Sequence, residues 1–102
     1  RHGWGVYSWR GGKYVGAWHQ GRRQGRGIEE YAPSGDSYAG SFEEDFRGGG
    51  EGVYTFADGE ACGGEWRRGL PLGADGQPLT GRFRGPDDFQ AGCGSQGHLE
   101  RA

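Results

Sequence analysis

Apolar and polar positions alternate with a period of two along short stretches of this chain, and glycine takes every other place on the apolar side. In Tyr38-Ala39-Gly40-Ser41-Phe42, positions 38, 40 and 42 share one face of an extended segment, and Ala39 and Ser41 share the other. That period predicts strand rather than helix. The phrase recurs as Tyr14-Val15-Gly16-Ala17-Trp18, Cys62-Gly63-Gly64-Glu65-Trp66 and Leu79-Thr80-Gly81-Arg82-Phe83, at spacings of 24, 24 and 17 residues (14 to 38 to 62 to 79). A turn glycine precedes each phrase by three residues: Gly11, Gly35, Gly59 and Gly76. A fixed period of this length signals a stacked array.

Upstream of the phrases lie β-rich runs, Val6–Trp9, Ile28–Tyr31 and Val53–Phe56. Arg10-Gly11-Gly12, Pro33-Ser34-Gly35-Asp36 and Ala57-Asp58-Gly59-Glu60 separate run from phrase, and an Asp-Gly pair in that place cues a hairpin. Each unit is therefore predicted to be a β-hairpin. Glycine-punctuated loops, 21–27, 45–52 and 69–73, are expected to join one hairpin to the next. The units run 3–25, 26–49, 50–73 and a truncated 74–85, in which Pro78 marks an edge. Residues 86–102 read as a flexible tail, with at most one helical turn at 86–90. Little or no helix is expected elsewhere.

Composition sharpens this picture. Glycine supplies 25 of 102 residues without a period of three, and aromatics make up 14%, which argues against both collagen and a disordered chain. The net charge of −2 gives no general attraction to nucleic acid, and no apolar run approaches the roughly 18 residues needed to cross a bilayer. Eleven of the twelve basic residues are Arg, the side chain suited to forked recognition of carboxylate or phosphate, although biased genome composition produces the same count. Cys62 and Cys93 fit no metal spacing, and Cys62 takes the place of Tyr14 and Tyr38, as a small core residue would. The chain lacks Met and begins with Arg1, as a piece of a longer product or a processed form would.

The pattern Tyr-x-Gly-x-Trp-x-x-Gly-x-x-x-Gly-x-Gly, carried at every position by Tyr14, Gly16, Trp18, Gly21, Gly25 and Gly27, resembles the MORN (membrane occupation and recognition nexus) repeat. The resemblance spans residues 3–85. It departs where Asp45 replaces the loop glycine, where Cys62 and Leu79 replace tyrosine, and where one extra residue enters at Gly48-Gly49-Gly50. It implies an all-β fold, tandem hairpins in an elongated, twisted, single-layer antiparallel sheet. Similar modules in junctophilins, lipid kinases, a histone lysine methyltransferase and cytoskeletal scaffolds bind partners, dimerise or contact phospholipid head groups.

Two surfaces are candidates for function. Trp9, Tyr14, Trp18, Tyr31, Tyr38, Phe42, Tyr54 and Trp66 supply rings to a partner-binding face. Any one ring is a packing residue, but a single-layer sheet cannot bury both its faces, and Trp, Tyr and Arg dominate binding hot spots. Arg22, Arg23, Arg26, Arg67 and Arg68 form the alternative, an anion or lipid head-group site. Alignment of the repeats also sets Glu43-Glu44 between these arginines, where a ladder of surface ion pairs would form instead.

Gly48-Gly49-Gly50-Glu51-Gly52 lacks the Lys-Ser/Thr ending of a phosphate loop. The three histidines fit no metal spacing, and no Ser or Cys sits near a plausible base. No catalytic residue, cofactor or metal is expected. The sequence points to a non-catalytic protein-interaction scaffold that binds a protein or a second copy of itself. A phosphoinositide-binding module, or the regulatory segment of a larger enzyme, remain as alternatives. The expected setting is intracellular: the cytoplasm, or the periphery of membrane or cytoskeleton.

Overall fold

A computed structural model describes residues 2–73 and 75–78; the tail expected over 86–102 and the final phrase, Leu79–Phe83, lie outside the described residues. Seven strands form one antiparallel sheet in sequence order. They are β1 (His2–Trp9), β2 (Gly12–His19), β3 (Arg22–Tyr31), β4 (Ser37–Glu43), β5 (Phe46–Thr55), β6 (Ala61–Arg67) and β7 (Leu70–Pro71). No helix occurs among the described residues, and the tandem-hairpin architecture is as expected.

The connecting loops need correction. Residues 22–27 and 46–52 are strand, and the joints shrink to Gln20-Gly21, Glu44-Asp45 and Arg68-Gly69. Both residues of each joint have positive φ: 53° and 80°, 50° and 76°, 51° and 87°. Two consecutive left-handed residues define the type I′ turn, whose twist suits two antiparallel strands. The Asp-Gly cue at 58–59 does mark a hairpin, β5 with β6, whose longer connection is closed by Gly59 N–H donating to the Phe56 carbonyl at 2.8 Å. The loop glycines had a different purpose. Ala17 alone spans the gap from Gly16 to Trp18 on β2, while residues 24, 25 and 26 span the matching gap on β3. One repeat later Ser41 alone faces residues 48 to 51, so the extra residue noted in the sequence is absorbed by a wider bulge. Unit boundaries drawn at 25/26 and 49/50 thus fall inside β3 and β5.

Strand register lines the repeats up in rows. Gly5, Gly16, Gly27, Gly40, Gly52 and Gly64 stand side by side across β1 to β6. Two residues along each strand, on the same face, comes the row Tyr7, Tyr14, Glu29, Tyr38, Tyr54 and Cys62. The glycines let rings lie flat over them. Tyr14 and Phe42 come from β2 and β4, about 9.6 Å apart by strand spacing, yet their ring centroids are 5.1 Å apart. Tyr38 and Trp66, from β4 and β6, meet in the same way at 5.2 Å. The rings cross the intervening strand where it offers bare glycine backbone, Gly27 on β3 and Gly52 on β5, so one face of a single sheet becomes a core.

Candidate binding face

The tyrosine and tryptophan rings of the core are pinned at their polar ends. The Tyr14 hydroxyl donates to the Ala17 carbonyl, and the Tyr38 hydroxyl donates to the Ser41 carbonyl at 2.9 Å. Trp66 Nε1–H donates to the Gly52 carbonyl at 3.0 Å. Burial pushes the Tyr14 phenol up to about 12, against the pull of nearby Arg23. It does the same for Tyr54, with the Asp36 carboxylate that accepts its hydroxyl at 2.9 Å adding to the rise.

The eight rings expected on a partner-binding face therefore divide. Tyr14, Tyr38, Phe42, Tyr54 and Trp66 are buried in the core. Trp18 and Tyr31 are half-buried. Trp9 is 46% exposed, and beside it Tyr7, outside the expected set, is 44% exposed. With Tyr14, Trp18, Gly21, Arg22, Arg23 and Asp45, these two line a cleft of about 340 Å³ at the β1–β2 end of the ring face. The ring face is thus a packed floor with an open aromatic end.

Two arginines cross this face. Arg23 Nε–H donates to Asp45 Oδ1 at 2.7 Å, Nη2 donates to the Asp45 carbonyl at 2.6 Å, and Nη1 pairs with the buried Glu29 carboxylate. Its guanidinium lies 5.6 Å from the Phe42 ring and 6.0 Å from Tyr14. Glu29 stands in the tyrosine row and also accepts the Tyr31 hydroxyl at 2.5 Å. Burial raises the Asp45 pKa, but the hydrogen bonds and charge of Arg23 outweigh it and hold the carboxyl below its ordinary 3.8.

Arg47 repeats the position of Arg23 one unit later, 24 residues on. It lies 5.0 Å from the Tyr54 ring and 5.6 Å from both Tyr31 and Trp66. Its Nη2 donates to the Gly69 carbonyl at 2.6 Å and its Nη1 to the Tyr31 hydroxyl at 3.1 Å. Sequence reasoning missed Arg47 and Glu29. The 24-residue offset from Arg23 was the available signal for the first. For the second, a carboxylate aligned with Tyr7 and Tyr54 was the sign.

The expected anion set does not gather. Arg26 pairs in register with Ser41, on the sheet face opposite Arg23. Arg67 donates to the Gly76 carbonyl at 3.0 Å, and Arg68 lies 4.6 Å over the Phe46 ring. Arg22 and Arg23 line the cleft together with Asp45, whose carboxylate already accepts from Arg23. Ion pairing among the described residues runs through Arg23 with Asp45 and Glu29, and through Lys13 with Glu30, rather than through Glu43-Glu44. Among the described residues no three His, Cys, Asp or Glu side chains converge as a metal site would require.

Residues 14–35, 38–61 and 64–73 match the family model of the MORN repeat. No curated protein matches the chain.

Proposed function

This chain belongs to the MORN repeat family, and on that premise we propose that it is a non-catalytic docking module that seats a protein segment on the open aromatic end of its ring face. The observation that carries the reading is an inequality between equivalent residues. Gly3-Trp4-Gly5-Val6-Tyr7-Ser8-Trp9 repeats as Gly50-Glu51-Gly52-Val53-Tyr54-Thr55-Phe56. Tyr54 and Phe56 are buried, while Tyr7 and Trp9 are nearly half exposed. A ring position filled in one repeat stands open in the other, beside a cleft large enough for one or two side chains. Aromatic anchors with an adjacent Arg carry most of the energy at protein interfaces. The cleft has that composition, with Arg22, Arg23 and Asp45 as its polar margin.

The occupant this chemistry suits is an extended peptide that brings an aromatic or large aliphatic side chain into the cleft between Tyr7, Trp9 and Trp18. A displayed peptide library selected on the whole chain, followed by calorimetry of the enriched peptides, tests it. Tyr7→Ala and Trp9→Ala should each weaken binding about tenfold or more, while Arg67→Ala and Arg68→Ala leave it unchanged. Selected peptides that bind the Tyr7→Ala, Trp9→Ala double variant as well as the parent would refute the reading. Co-sedimentation with phosphoinositide vesicles, lost on Arg22→Ala, would instead support the head-group alternative.

A further inference from the structure

The second face of the sheet carries its own pattern, independent of the rings. Val6, Val15, Ile28, Ala39, Val53 and Gly63 stand side by side in register across β1 to β6. Together they make an aliphatic stripe one residue wide and, at the usual strand spacing, about 24 Å long. Val6 is 62% exposed, Ile28 50% and Val53 43%, and Trp4 at the β1 end is 66% exposed. Single exposed apolar residues need no explanation, but a contiguous run across six strands marks an interaction surface.

A mainly polar row borders the stripe on each side. On one side stand Ser8, Lys13, Glu30, Ser37, Thr55 and Ala61. On the other stand Trp4, Ala17, Arg26, Ser41, Glu51 and Glu65. A two-fold axis laid along the stripe, between two facing copies, superposes stripe on stripe and brings each polar row over the opposite row of the other copy. Glu30 then faces Arg26 of the second copy, and Arg26 faces its Glu30. Lys13 faces Ala17, Ser37 faces Ser41, and Thr55 faces Glu51, so no like charges oppose one another. Both members of the repeated ion pair lie on β3, near the centre of the contact, where the roughly 30° rotation between packed sheets displaces them least. Within one chain Glu30 holds Lys13 only at 4.0 Å, the outer reach of an ion pair.

We infer that the aliphatic face is an isologous dimer surface, on which two copies of this chain pack sheet against sheet about a two-fold axis running along the Val6–Val53 stripe. The argument for a second copy, rather than a foreign partner, is that the surface complements itself: apolar meets apolar, and an acidic residue meets a basic one twice. Closed two-fold pairing is the commonest arrangement for such a patch. The ring face stays clear in this dimer, so peptide docking and dimerisation are separable.

Sedimentation equilibrium of the whole chain over a wide concentration range tests the inference. The expected result is a mass that rises from 11.0 kDa to twice that value. Ile28→Glu should return it to the single mass. Glu30→Arg should weaken association, and adding Arg26→Glu should restore it. Ile28 is half exposed, so the substitution should leave circular dichroism unchanged; if the variant fails to fold, Val53→Lys on a different strand makes the same test. The single mass at every concentration into the high micromolar range would overturn the inference. So would a doubled mass indifferent to Ile28→Glu and Val53→Lys, or one lost only on Tyr7→Ala with Trp9→Ala.

Discussion

The Tyr38 hydroxyl occupies the space in which a side chain on Gly52 would begin. A Cβ built on Gly52 overlaps that hydroxyl and falls 2.6 Å from ring Cε1, and Gly27 stands in the same relation to Tyr14, with its Cβ 2.5 Å from the hydroxyl. The ring cannot swing aside, because it is buried and its hydroxyl is bonded to the Ser41 carbonyl. Gly52→Ala should therefore destabilise the fold by about 2–3 kcal/mol through overpacking. Gly59 lies in open space at φ 95°, so Gly59→Ala should cost only the left-handed backbone term of about 1–2 kcal/mol. Urea unfolding of the two variants compares them; equal losses would mean that the glycine row serves conformation and not the rings.

Arg47 ties one repeat to the next through its fork. It donates from Nε and Nη2 to the Gly69 carbonyl, at 3.2 and 2.6 Å, while its plane lies among Tyr31, Tyr38, Tyr54 and Trp66. A lysine keeps the charge and loses both the fork and the stacking plane. Arg47→Lys should thus cost about 1–2 kcal/mol, against less than about 0.5 kcal/mol for Arg67→Lys on the exposed edge. Chemical denaturation measures both, and a neutral Arg47→Lys would reduce the guanidinium to a spectator.

The repeat period and the strand alternation were readable because they rest on local chemistry: a glycine every second residue, a ring two places on, a turn residue at fixed offset. That was enough to set the all-β class and the order of the hairpins. Two things escaped for physical reasons. Gly25 and Gly48 to Gly50 look like loop residues because they adopt positive φ, yet that conformation also builds a bulge inside a continuing strand. The accessible part of the ring face was hidden as well, because Tyr14 and Tyr7 have the same chemistry and differ only in what a neighbouring repeat lays over them. Register, which no single segment encodes, decides both that and the aliphatic stripe.

Burial of the phenols predicts how the fold ends in alkali. Tyr14 and Tyr54 have pKa values raised from 10.0 to about 12 in the folded state. A raised folded-state value means that the stabilisation is complete below the ordinary pKa of 10.0 and is lost as pH climbs toward the folded-state value. Unfolding should therefore begin between these limits, with the buried phenols ionising together with the loss of structure. Tyrosinate absorbance followed alongside circular dichroism tests this. All five tyrosines ionising near 10 with the sheet intact would contradict it.

Asp45 predicts a response at the acid end with the opposite sign. It stands at a left-handed turn position, φ 76°, where the equivalent joints have Gly21 and Gly69. Aspartate tolerates that conformation better than most residues, and Asp45 holds Arg23 by both its carboxylate and its carbonyl. A carboxyl with its pKa lowered on folding stabilises fully above the ordinary value of 3.8, and the contribution fades as pH falls through the folded-state value. Asp45→Asn should accordingly be less stable than the parent near neutral pH, and the gap between them should close as the pH is lowered past 3.8 and through the folded-state value. Asp45→Gly relaxes the turn but leaves the Arg23 guanidinium without that carboxylate partner, so it too should lose the pH-dependent part of the stability. Thermal midpoints of the three proteins, measured from neutral to acid pH, supply the check. A gap between parent and Asp45→Asn that stays constant across the range would show that the Arg23–Asp45 pair contributes through shape and not through charge.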